Sequence, residues 1–112
     1  MILRPIPRNL MPSTATVWEP VTGDYGGTFA EEGKTITGVR FDRHAPLQRL
    51  GYVETDGLQG LLYVDAVNSA GAFAIPEGSK VQIDSLEPMQ AVVVHEFQGF
   101  NGAVHHWEVE LR

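Results

Sequence analysis

Three of the four histidines, His95, His105 and His106, fall in the C-terminal stretch, with Glu96 and Glu108 beside them. Imidazoles among carboxylates are the raw material of a metal site or of a general acid–base pair. Adjacent residues of a strand point to opposite faces, so one metal ion takes both His105 and His106 only if the strand is broken there. His95 and His105 are the pair that could share a face and meet across a hairpin, as a cupin-like zinc site requires. No third ligand is placed by the sequence, and packed or surface histidines are the simpler reading. The serines offer no nucleophile: Ser13, Ser69, Ser79 and Ser85 sit at turns or strand ends, and none lies in a Gly-x-Ser-x-Gly elbow. Glu31 and Glu32 precede a Gly-Lys turn and read as a solvated hairpin tip. Asp65 is placed to tie Asn68 and Ser69 into a turn rather than to act as a base. Gly23, Gly26 and Gly27 lack the spacing of a phosphate-binding loop. Phe97, Phe100 and Trp107 could form an aromatic row for a sugar, but the flanking Glu96 and Glu108 are wrong for nucleic acid. The expectation is no catalytic residue, no metal and no cofactor.

The elements that would position these side chains are strands. Ala91 to Phe97 and Ala103 to Leu111 are β-rich runs about a Gly-Phe-Asn-Gly turn, the signature of an antiparallel hairpin. In the second run His105, Trp107, Val109 and Leu111 share the parity that seeks a core, and His106, Glu108 and Glu110 the parity that seeks water. Upstream, Arg4-Pro5-Ile6-Pro7-Arg8 and Pro12 exclude a helix or a central strand and predict an extended arm over residues 1–13. Strand candidates follow at Ala15 to Glu19, Thr28 to Glu31, Thr35 to Arg43, Leu58 to Val67 and Lys80 to Ser85. Gly38 breaks the parity between Ile36 and Phe41, which predicts a bulge there with both side chains buried. Residues 44–57 hold no sustained period and read as a long loop whose apolar side chains pack on this domain or on a partner. No window carries a helical stripe. The chain is expected to be a single all-β domain, a small six-stranded antiparallel β-barrel or sandwich with long loops.

A length of 112 residues suits one domain with a modest core. Without cysteine there is no disulfide, thiolate site or cysteine nucleophile. No apolar run reaches signal-peptide or membrane-helix length, so a soluble intracellular product is expected. Residues 1–49 carry six basic and five acidic side chains and residues 50–112 two and nine, which places the net charge of −6 in the second half. Such acidity opposes a nonspecific grip on phosphate, which needs clustered Lys and Arg.

Several segments, taken in order, carry a resemblance: the Pro-rich arm Arg4 to Pro7, the Tyr25-Gly26-Gly27 turn, the Val39-Arg40-Phe41 strand, the Leu62-Tyr63-Val64-Asp65-Ala66-Val67-Asn68-Ser69 segment and the terminal His105-His106-Trp107-Glu108-Val109. Together they resemble the minor capsid proteins of long-tailed phages and prophages of Gram-positive bacteria, of the head-closure or connector-stopper kind. The resemblance implies a structural, non-enzymatic virion protein, present in the host cytoplasm before assembly. It implies a β-barrel docked in a ring beneath the portal and its adaptor, closing the head and meeting the tail proteins, with DNA only as cargo passing the channel and no membrane. The long loop then supplies the expected partner contacts, Leu47, Arg49, Leu50 and Tyr52. The alternatives are a small metal-dependent, cupin-like enzyme using His95 and His105, or a sugar-binding module.

Overall fold

The computed structural model describes residues 4–21, 28–43 and 58–112. After a single turn of 3-10 helix at Arg8–Leu10, six strands follow: β1 (Ser13–Trp18), β2 (Lys34–Arg43), β3 (Gly60–Asp65), β4 (Lys80–Ile83), β5 (Met89–Gln98) and β6 (Val104–Leu111). They pair antiparallel in the order β1-β2-β3-β6-β5-β4, and β4 returns to β1 to close the barrel. The fold is thus all-β, as the alternation and the glycine-rich turns predict, and of the expected barrel or sandwich it is the closed barrel.

Two long strands bend so that a small sheet can close. In β2, Ser13 of β1 faces Val39 while Thr14 faces Thr37, so Gly38 is the extra residue of a bulge, at φ +70°. The strand can thereby pair with β1 over its first half and with β3 over Arg40–Arg43. The predicted bulge is present; Ile36 is fully buried and Phe41 is half-buried against the core. In β5 the register skips between Ala91 and Val93, a second bulge with Val92 as the extra residue. Inside the barrel Val17, Ile36, Val39, Leu62, Val64, Val81, Ile83, Trp107, Val109 and Leu111 form one core.

Some expectations shift. The arm is not extended throughout: Arg8–Leu10 turns, Met11 is buried, and β1 already begins at Ser13. The Thr28 to Glu31 piece appears as a single bridge, Pro20 to Phe29, flanked by the Ala30 N–H bond to the Glu19 carbonyl. The loop 44–57 and the Tyr25-Gly26-Gly27 turn lie outside the described residues. Alternation in β6 holds on the core side, but Glu110, assigned by parity to water, is 1% exposed. Its cross-strand neighbour on β3, Leu61, also has outward parity and is also fully buried. Parity names a face of the strand, and it does not say whether that face is covered.

Candidate functional site

The chemistry-bearing residues gather where the top of β3, the start of β6 and the N-terminal arm meet. Asp65 ends β3 as the sequence suggests: its Oδ2 accepts the N–H groups of Val67 (2.9 Å) and Asn68 (2.7 Å). Its own N–H donates to Ser69 Oγ (2.9 Å), whose hydroxyl donates to the Gly38 carbonyl (2.6 Å). Its other oxygen, Oδ1, accepts the Ile6 N–H at 2.9 Å. Asn68 Nδ2 then donates to the Ile6 carbonyl at 2.8 Å. Ile6 stands between Pro5 and Pro7, so it holds the only N–H of that tripeptide, and both of its backbone groups are taken. A turn built for local reasons therefore doubles as a clamp for the arm.

His105 completes the clamp, with Nε2 2.7 Å from the Arg4 carbonyl oxygen. Its Nδ1 lies 2.9 Å from Nδ1 of His106, and His106 Nε2 lies 2.8 Å from Glu108 Oε2. The two rings meet edge to face at 5.1 Å, and Phe97 stacks on His106 at 4.7 Å and 5°. Neighbouring imidazoles can meet because of a third bulge. Gln98 pairs with Val104 but Phe97 with His106, so His105 is the extra residue and escapes strict alternation. Beside this cluster a groove of about 280 Å³ runs between Ile6 and Leu10 of the arm and Arg40, Asp42, Tyr63 and His106 of the barrel. Burial, and then the nearby Glu108 and Asp42 carboxylates, push the Tyr63 phenol above its ordinary value.

Register separates the pair proposed for a metal: cross-strand partners share a face, so His95 lies on the face of Glu108 and His106, which alternation denies to His105. His95 stands opposite Glu108, and its Nε2 lies 2.6 Å from Glu110 Oε2, whereas His105 turns to the arm. His95 and His105 do not share a ligand position, and among the described residues no group of three or more His, Cys, Asp or Glu could hold a metal ion. Two of the four serines have structural partners: Ser69 as above, and Ser79 donating to the Pro76 carbonyl at 2.6 Å. The aromatic row does not form either. Trp107 is in the core at 8% exposure, Phe97 is exposed but stacked on a histidine, and Phe100 stands out in water at 75%. Leu47, Arg49, Leu50 and Tyr52 lie outside the described residues. Neither the Ile6 clamp nor the buried Glu110 was legible beforehand; for the clamp, the lone N–H between two prolines was the available signal.

In this arrangement Asp65, Asn68 and His105 hold backbone groups, and His95 and His106 are bonded to carboxylates. Residues 16–111 match the family described as minor capsid protein, a span that takes in all six strands apart from the first residues of β1. No curated protein and no solved structure matches the chain.

Proposed function

The chain belongs to the minor capsid protein family, and we propose that within the virion it joins head to tail, as a head-completion protein acting through protein contacts in a ring. The match over nearly the whole barrel carries this reading. A structural role in a virus particle follows from the family; the connector position is the finer step. Supporting it is the charge placement, with nine acidic and two basic side chains after residue 49. An acidic lining repels a passing phosphate backbone and so lets DNA through a channel without retaining it. A subunit with an acidic second half also suits head-to-tail contacts between unlike faces, the kind that close into rings. The portal or its adaptor on one side and tail proteins on the other are the proposed partners, with Leu47, Arg49, Leu50 and Tyr52 as proposed contacts.

The test is genetic and visual. An inducible phage lacking this gene is expected to yield DNA-filled or leaking heads without tails, and purified protein added to the lysate is expected to restore tailed, infectious particles. Normal infectious particles from the deletion would refute the head-completion role.

A further inference from the structure

Three hydrogen-bond contacts meet at two imidazoles: His105 Nε2 with the Arg4 carbonyl oxygen, His105 Nδ1 with His106 Nδ1, and His106 Nε2 with Glu108 Oε2. Each contact needs one hydrogen. A carbonyl oxygen has none to give and neither has a carboxylate, so each Nε2 must carry its own. A neutral imidazole holds a single N–H. Two neutral rings therefore leave two bare Nδ1 lone pairs facing each other at 2.9 Å. One added proton completes the set, and a second would turn N–H against N–H. Placing the added proton on Glu108 instead leaves the total unchanged, because the bond to His106 is then donated in the opposite direction.

We infer that His105 and His106 share one proton between their Nδ1 atoms, and that this proton lets His105 clasp the N-terminal arm, so that docking the arm takes up one proton from solvent. The bulge is what makes the sharing possible, since regular alternation would send the rings to opposite faces. Charged groups of both signs surround the pair. Glu108 is bonded to His106 on the same strand, and Asp65 stands opposite His106 on β3. Across the groove β2 presents Arg40 and Asp42, with Tyr63 of β3 beside them. β5 contributes the Phe97 ring against His106, with Glu96 next to it in sequence and His95 engaged by Glu110. The arm brings Arg4, whose carbonyl is the group held, and Arg8. When the arm leaves, Arg4 no longer fixes the His105 Nε2 hydrogen; that ring can move its single hydrogen to Nδ1 and bond His106 without the extra proton. Docked and released states thus differ by one proton. This inference is independent of the head-to-tail reading, since it concerns the isolated chain.

The test uses the full chain, labelled with nitrogen-15, in buffer containing EDTA. A nitrogen–nitrogen coupling across the hydrogen bond between His105 Nδ1 and His106 Nδ1 is the direct signature. The Ile6 amide, isolated between two prolines, reports the fraction of arm docked. Where the docked pair keeps its extra proton and the released rings do not, one-proton linkage makes the docking constant fall about tenfold per pH unit of rise. His106→Phe retains an aromatic ring to stack on Phe97 and is expected to abolish that slope, leaving the arm on the Asp65 and Asn68 contacts. Absence of the coupling throughout the pH range in which the barrel is folded would overturn the inference, as would a slope unchanged in His106→Phe. The wild-type coupling decides the matter even if the variant fails to fold.

Discussion

Replacing His95 by leucine should damage the barrel far more than replacing His95 and Glu110 together. Glu110 is 1% exposed, its Oε2 is held by His95 at 2.6 Å, and its Oε1 has no hydrogen-bond partner. Removing the imidazole leaves a buried carboxylate without that donor. Breaking a buried pair on one side generally costs about 3–5 kcal/mol, whereas replacing both partners with apolar groups is often neutral or stabilising. The His95 side chain is 28% exposed, so water can enter where it stood, and the low end, about 3 kcal/mol, applies to His95→Leu. For a domain of this size that is a fall in Tm of roughly 12 °C. The double variant His95→Leu/Glu110→Leu should recover about 2 kcal/mol or more of the loss, because Leu61 already lines the site. The assay is a double-mutant cycle by urea and thermal denaturation near neutral pH. A single variant within about 0.5 kcal/mol of wild type, or a double variant whose loss is the sum of the two singles, would refute the reasoning.

Other outcomes follow from the same geometry. Asp65→Ala removes the acceptor of three backbone N–H groups, on Ile6, Val67 and Asn68; a loss of about 3 kcal/mol or more in denaturation is expected, with the Ile6 amide released. Asn68→Ala, which deletes one bond to the Ile6 carbonyl, should cost only about 1 kcal/mol and leave the barrel's melting cooperative. Gly60→Ala would set a Cβ 2.3 Å from the Asp42 carbonyl oxygen and 2.9 Å from Arg43 Cα, so β2 and β3 must separate locally, at about 1–3 kcal/mol, measurable by chemical denaturation. Tyr63 should ionise later than a free tyrosine in an ultraviolet titration, and Tyr63→Phe should remove that late step. The sign is fixed by the raised value: the folded barrel favours the neutral phenol, so this contribution is whole below about pH 10 and is lost as pH rises through the folded-state value.

The fold was legible wherever one physical cause dominated. Trp107, Val109 and Leu111 seek the core by simple alternation; Gly38 had to relieve a parity conflict; Asp65 had two turn N–H groups within reach of its own carboxylate. The site was less legible because it depends on register, which single strands do not encode. The pairing of His95 with Glu108 puts His95 on the face of Glu110 and away from His105, and one extra residue near Gln98 then takes His105 out of the alternation and to the arm. Cover over an outward face is equally hidden, which is why Glu110 was assigned to water. Nothing local to Asn68 announces that its amide will reach a residue 62 positions away.

The barrel closes through its shortest strand. Four residues of β4 join β1, but only Lys80 and Val81 pair with β5, aided by the bonds that link Ala91 to Gly78 and Ser79. Beyond that seam the next N–H of β5 that points away from β6, on Val94, is met by the Glu77 carboxylate at 3.1 Å rather than by a strand. Opening the seam would let the sheet unroll with the β5–β6 hairpin and the β1–β2 pair each whole. A mechanical load across the barrel would find its weakest line at β4, and the amides of Gly78, Ala91 and Val94 should be the first of the barrel's ladder to exchange.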